Sequence, residues 1–151
     1  PVFFARLLLK HQVGLVWNEI SRRYVDDKVE FHQPSSWRGS PENAKQGSSD
    51  EVIDINPRGA LVDDYQKVCN SAKWTYEHLL SQGVAPEQAR MVLPQSMMTE
   101  WYWSGTLMAF ARICNLRCKP DTQLETQVVA NQIDHHAEVM FPISWKALRD
   151  E

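Results

Sequence analysis

Apolar residues recur at steps of three and four along Leu61, Tyr65, Val68, Ala72, Tyr76 and Leu79, and Gly83 stands where a helix C-terminus accepts positive φ. The spacing predicts a long helix ending just before Gly83, with those six side chains recurring along one stripe. Residues 2–11 follow Pro1 without an internal breaker and suit a largely buried helix, because proline is tolerated in a first turn. Between 13 and 31, β-branched and aromatic residues alternate imperfectly with polar ones, which favours extended backbone. Pro86 opens a short helix through Arg90, and Pro94 ends the short segment after it. Trp101-Tyr102-Trp103 then leads into a helix over 106–116, with Leu107, Phe110, Ala111 and Cys114 on one face. Thr122 and Glu125 have the spacing of a capping box, after which Leu124, Val128, Ile133 and Ala137 keep the helical period and a last amphipathic helix closes the chain.

Residues 34–57 break this regularity. They are rich in Ser, Gly, Pro, Asn and Asp, and a loop beyond about 12–15 residues in a compact domain is usually functional or disordered. Trp37-Arg38 and Lys45-Gln46-Gly47-Ser48 within it are candidates to meet a ligand or a neighbouring subunit. No repeat is visible, and the mixture of elements is α+β. With 151 residues, 43% of them hydrophobic, the chain suits one domain over 1–151 around one core. It starts at Pro1 inside an apolar run with no helix start signal, as expected of a chain whose N-terminal part is absent.

Charge narrows the function classes. Sixteen basic against 19 acidic residues leave a formal charge of −3, so there is no cationic field for a nucleic-acid polymer and basic residues must matter individually. No apolar stretch approaches the roughly 20 residues of a membrane-spanning helix, and Pro1-Val2-Phe3-Phe4 lacks the charged start of a signal peptide. The expectation is a soluble, cytoplasmic protein. Cys69, Cys114 and Cys118 are an odd set without a CxxC pair, which reads as reduced packing residues rather than disulfides or zinc ligands. Cys114 and Cys118 could share a helix face but lack a histidine partner, and no metal is expected.

Arg23, Arg90 and Arg117 sit beside apolar residues, and an arginine fork binds phosphate bidentately. Together they suit a small anionic ligand; singly, each could as well pair with a carboxylate at a helix end. His11 could be a general base, a donor to a cofactor, or a core histidine. His135 and His136, about 100° apart on a helix, cannot both face one site and read as surface or interface residues. There is no GxSxG, no GxGxxG and no P-loop. Residue chemistry alone leaves the function open.

The segment Asn18-Glu19-Ile20-Ser21-Arg22-Arg23-Tyr24 changes that. With Lys10-His11-Gln12 before it, it resembles the signature RHRxxSxNExSxRY of the flavin-dependent thymidylate synthases, the thymidylate synthase complementing protein family. Pro1 to Arg6 is similar to the apolar helix preceding that signature. Trp37-Arg38 and Lys45 to Ser48 resemble the family's loop, Gly83 to Arg90 with Leu93-Pro94 its next block, and Leu116-Arg117 with Gln123 and Glu125 its later one; Thr99 and Trp103 fall in order between. The resemblance covers nearly the whole chain.

It implies an antiparallel sheet flanked by helices, assembled as a homotetramer with active sites between subunits, and an active-site or interface loop over 34–57. It also implies conversion of dUMP to dTMP with FAD, NADPH and methylenetetrahydrofolate, without a cysteine nucleophile. Leu7, Lys10, Glu19, Ser21, Arg22, Arg23, Arg90 and Arg117 would meet the nucleotide, with Arg117 catalytic against the uracil. Lys10, His11, Gln12, Glu19, Thr106, Met108 and Arg112 would meet the flavin. The chain departs from the pattern at several of these places. Lys10 and Gln12 replace two arginines, Leu7 a usual Gln, Val16 the motif serine and Asp121 a usual His. Thr106, Met108 and Arg112 stand where many members have Asn, Arg and Asn or His, and His11 to Asn18 is one residue longer. Two other readings fit the same residues: flavin-dependent methylation or hydroxymethylation at C5 of another pyrimidine nucleotide, and a nucleotide- or flavin-binding homologue that does not catalyse.

Overall fold

The longest helix forms where the spacing places it. The computed structural model describes residues 1–21, 28–42, 47–49, 51–53 and 59–149, and in it α2 spans Ala60–Ser81, with Gly83 just beyond at φ 80°. Before it come α1 (Val2–Leu8), β1 (Leu15–Glu19), β2 (Trp37–Arg38) and β3 (Val52–Ile53). After it come α3 (Pro86–Ala89), which tightens into a 3-10 turn over Arg90–Val92, then β4 (Trp101–Gly105), α4 (Leu107–Arg117), α5 (Leu124–Met140) and α6 (Pro142–Leu148). β1 pairs with β4 and β2 with β3, each a small ribbon, so the fold is α+β with short antiparallel sheets and six helices among the described residues. The 34–57 loop contains β2 and β3.

The chain divides into two compact units. The first comprises Pro1–Phe3, Glu19–Trp37 and Val52–Trp101. Val29, Tyr76 and Ala89 are buried at its centre, with Phe31, Leu79, Leu80, Val84, Leu93 and Met97 packed around them. Backbone bonds from His32 to Ser96 and from Met98 to Glu30 hold the bridge Phe31–Met97 against α2, and the Tyr65 hydroxyl donates to the His32 carbonyl. The apolar stripe of α2 meets the core only in part. Leu61 and Val68 are each 59% exposed, whereas Tyr76 of the same stripe is buried with Leu79 packed beside it, and Cys69, outside the stripe, is buried as well. The apolar stripe is wider than the core it meets, so periodicity places the helix but not the centre of its contact face.

The second unit comprises Phe4–Asn18, Arg38–Glu51 and Tyr102–Glu151. Ala111, Cys114 and Trp145 form its core, enclosed by Leu107, Phe110, Cys118, Ile133, Ala137 and Leu148, so the expected face of α4 is the observed one. On α5 the buried residues are Thr126 and Ala130, while Leu124 and Val128 are 41% and 48% exposed; only the Ile133–Ala137 part of the expected stripe reaches the core. Thr122 does not cap α5. Its hydroxyl donates to the Leu116 carbonyl at 3.3 Å and closes the α4–α5 turn, while Glu125 turns to Arg38 of β2. Within the unit Trp17 and Trp103 meet edge to face at 5.4 Å, and Trp103 meets Phe110 at 5.6 Å. Gly105 makes the ribbon possible: a Cβ there would lie 2.5 Å from the Gly14 carbonyl oxygen, a backbone atom that cannot step aside.

Asp134 of α5 ties α6 down. It accepts from Trp145 Nε1 at 2.7 Å and from Arg149 at 2.9 Å, while Arg149 also donates to the Asn115 side chain. Trp145 is 2% exposed, so removing the carboxylate strands a buried indole N–H together with a half-buried cation. Asp134→Ala should therefore lower stability by about 2–4 kcal/mol in urea unfolding, with Asp134→Asn, which keeps an acceptor, losing clearly less. Equal losses in the two variants would refute this account.

Candidate functional site

Among the described residues three arginines are half-buried, Arg38, Arg117 and Arg149, while Arg6, Arg90 and Arg112 are exposed. A guanidinium drawn partly out of water needs acceptors. Arg149 takes Asp134, and Arg38 takes Glu125 at 2.6 Å with Ser48 Oγ also at 2.6 Å from its Nε. Arg117, the last residue of α4, takes neither carboxylate nor carbonyl. Its Nε donates to His11 Nε2 at 3.0 Å, and among the described residues it has no acidic partner. Two of the three charges are cancelled and the third is not.

The structure thus joins two residues that the signature places in different roles, His11 of the flavin triplet and Arg117 of the nucleotide set. Both lie in the second unit. His11 is half-buried with its backbone N–H on the Leu8 carbonyl at 3.0 Å; burial first, then the Arg117 charge, lowers its pKa below the ordinary imidazole value. Lys10 and Gln12 flank it exposed, and Leu7 is half-buried in the last turn of α1. Thr106 caps α4, its Oγ1 accepting from the Ala109 amide at 3.2 Å, so that oxygen is committed to the helix start. Met108 and Arg112 are both exposed and lie four residues apart along α4, an apolar side chain and a cation on one outward stripe.

Glu19, Ser21 and Arg90 belong to the first unit. Glu19, at the end of β1, accepts from Thr99 Oγ1 at 2.5 Å, which fixes one carboxylate oxygen. Ser21 is half-buried and Arg90 exposed, the latter with only a 3.4 Å contact from its Nε to the Glu87 carbonyl. Arg22 and Arg23, and Lys45 and Gln46 of the loop, lie outside the described residues. The expected surface placement of His135 and His136 holds, both rings being exposed and tilted at 5.7 Å. Cys69 and Cys114 are buried and Cys118 half-buried, all free; burial, with Cys118 and Asp134 nearby, pushes the Cys114 thiol up to about 12. Among the described residues no cluster of His, Cys, Asp or Glu suits a metal ion.

The contacts of Ser48, Glu125 and Thr99 were not foreseen by residue chemistry. Ser48 and Glu125, with Arg38, close a clip between the loop and the first turn of α5, and Thr99 anchors Glu19 from 80 residues away. Their signal in the sequence is only their place in the family blocks, since no local period links residues so far apart.

The family model for the thymidylate synthase complementing protein matches residues 1–143. The chain belongs to that family. It is 35% identical over 150 residues to a flavin-dependent thymidylate synthase of Thermus thermophilus, covering 99% of this chain and 54% of that one. It is 32% identical over 152 residues to one of Dictyostelium discoideum, covering 99% and 49%. The chain thus spans about half the length of these curated relatives. Among solved structures it is similar to a UMP/dUMP methylase, PolB from Streptomyces cacaoi bound with 5-Br dUMP. That match has a TM-score of 0.80 at 27% identity and covers 97% of this chain and 66% of that one. No helix among the described residues is long and apolar enough to cross a membrane.

The Arg38–Glu125 clip carries a pH dependence. Burial pulls the Glu125 carboxyl up, but hydrogen bonding and charge from Arg38, with help from the Glu125 amide and Gln123, outweigh it and leave the pKa below the ordinary carboxylate value. A carboxyl depressed in the folded state contributes stability that is fully present above its unfolded pKa and lost as pH falls through the folded one. Arg38→Met should cost about 1–2 kcal/mol at neutral pH, the pair being partly solvated. In urea titrations between neutral pH and about pH 3, the gap between wild type and variant should close on the acid side. A gap independent of pH would exclude the ion pair as its source.

Proposed function

We propose that this protein is a flavin-dependent thymidylate synthase, converting dUMP to dTMP with the one-carbon unit from methylenetetrahydrofolate and the reducing electrons from NADPH. The observation that carries the reading is the state of Arg117. It is anchored at the end of α4 through Nε, held by an uncharged acceptor, and its terminal amino groups make no hydrogen bond among the described residues. A fixed, uncancelled cation suits the charge that develops on a pyrimidine as C5 becomes nucleophilic, and preorganised charge of this kind is usually the largest catalytic term. Arg117 takes the catalytic role against the uracil. Arg23 and Arg90 bind the phosphate with their forks, joined by Arg22, and Glu19, Ser21, Leu7 and Lys10 complete the nucleotide site.

The donor set fits FAD. Met108 and Arg112 on the outward stripe of α4 offer an apolar contact and a cation, with Lys10, His11, Gln12, Thr106 and Glu19 supplying further polar groups for a bulky anionic dinucleotide. FAD supplies the hydride chemistry that amino-acid side chains lack. The protein's part is binding, orientation and electrostatics, and no thiol takes part, in keeping with the inert setting of Cys114. Self-association as a homotetramer with active sites between subunits belongs to the same reading. It is supported by exposed apolar side chains on α2 (Leu61, Val68 and Trp74) and around the α5–α6 turn (Val139, Met140, Phe141 and Ile143). The reading takes 1–151 as one domain of the family and 34–57 as its active-site or interface loop.

One observation favours a second substrate. The similar solved methylase is described as acting on both UMP and dUMP, so the ribonucleotide is the first alternative, with dCMP after it. Incubating the protein with FAD, NADPH, methylenetetrahydrofolate and dUMP, UMP or dCMP in turn, followed by mass analysis, should give a methyl for a hydrogen on dUMP. A hydroxymethyl product, or product from another nucleotide alone, would replace the leading reading. Arg117→Ala should abolish turnover while the circular dichroism spectrum stays that of wild type; near-normal turnover would refute the role given to Arg117.

A further inference from the structure

Arg117 ends a helix that fixes its backbone, yet its side chain has several rotatable bonds beyond Cα. Among the described residues a single hydrogen bond takes up that freedom, the one from Nε to His11 Nε2. An imidazole nitrogen accepts only while it carries a lone pair, so the contact requires a neutral ring with its proton on Nδ1. Nε is also the donor nearest the stem. Engaging it sets the guanidinium plane and leaves both terminal amino groups for a ligand. The acceptor itself is held, since the His11 amide closes the turn after α1 on the Leu8 carbonyl.

We propose that His11 is a positioning residue for Arg117: its neutral ring holds the guanidinium in its working orientation, and the site loses that orientation when His11 takes up a proton. The proposal rests on the catalytic role given to Arg117 above and adds to the flavin contact expected of His11. Protonation would both remove the acceptor and place a second cation 3.0 Å from a fixed one, so imidazolium and this geometry exclude each other. From α4 the charged group facing His11 is Arg117, and on its own segment Lys10 is adjacent and exposed. Among the described residues no carboxylate pairs with His11 to favour the charged form. Burial and the Arg117 charge lower its pKa, so the arrangement persists through neutral pH and is lost only on acidification.

Two substitutions separate acceptor from titration. His11→Gln offers an amide oxygen near the place of Nε2 that does not titrate, and His11→Leu offers nothing. With the flavin-loaded protein, wild-type kcat/KM for dUMP should fall on the acid side with the loss of one group. His11→Gln should retain more activity at neutral pH than His11→Leu and lack that acid limb. His11→Leu should lose roughly 10- to 100-fold, the scale of one charge-assisted hydrogen bond. Flavin absorbance measured in parallel separates loss of cofactor from loss of orientation. An acid limb unchanged in His11→Gln would overturn the proposal. Nitrogen-15 spectra of the imidazole give a readout that needs no turnover: His11 Nε2 should be unprotonated at neutral pH, and the ring's titration should move upward in Arg117→Ala. A protonated Nε2 in wild type, or a titration indifferent to Arg117→Ala, would overturn the proposal even in a protein that turned over no nucleotide, whereas absent turnover with these spectra as expected would fault the proposed reaction instead.

Discussion

A guanidinium half out of water must be satisfied, and the choice of acceptor decides whether its charge survives. Carboxylates cancel it, as Asp134 does for Arg149 and Glu125 for Arg38. A neutral imidazole satisfies the donor and leaves the charge in place, and His11 does this for Arg117. Of the three half-buried arginines described in the second unit, two are tied into ion pairs and one keeps its field available, and that difference follows from hydrogen-bond chemistry rather than from position along the chain.

Several other features hold the end of α4 where this contact can form. Thr106 caps the helix start, the Thr122 hydroxyl closes on the Leu116 carbonyl, and the Gln127 side chain donates to the Cys118 and Lys119 carbonyls at 3.4 and 2.9 Å. The Arg38–Glu125 clip pins the loop to the first turn of the next helix, and Gly47 in that loop passes close enough to the Asp121 carbonyl that a Cβ would stand 3.4 Å from it. The turn after Arg117 is thus bound by the Thr122 side chain from within and by the Gln127 side chain from the next helix. A terminal arginine on a frayed helix would carry the same charge without a fixed direction.

The elements were largely legible because they rest on local periods and breakers: α2 with Gly83, the short helix behind Pro86, and α4 with its apolar face all lie where the residues put them. What could not be read was which side of a broad stripe meets the core, as Leu61 and Val68 on α2 illustrate. The capping-box spacing of Thr122 and Glu125 misled for a related reason, since both side chains have partners distant in sequence or in the preceding turn that compete with the local cap. The candidate site residues were named from the family blocks, and which of them meet could not be read from the sequence. The contact between His11 and Arg117 spans 106 residues, and no periodicity encodes it.

The interior thiol of α4 has a chemical consequence of its own. Cys114 lies 1% exposed, with its Sγ toward the Ala130 carbonyl at 3.6 Å and its pKa pushed up to about 12. Near neutral pH essentially none of it is thiolate, the form that attacks electrophiles and enters disulfide exchange. Alkylating agents and mild oxidants therefore meet an unreactive sulfur at the centre of this helical core.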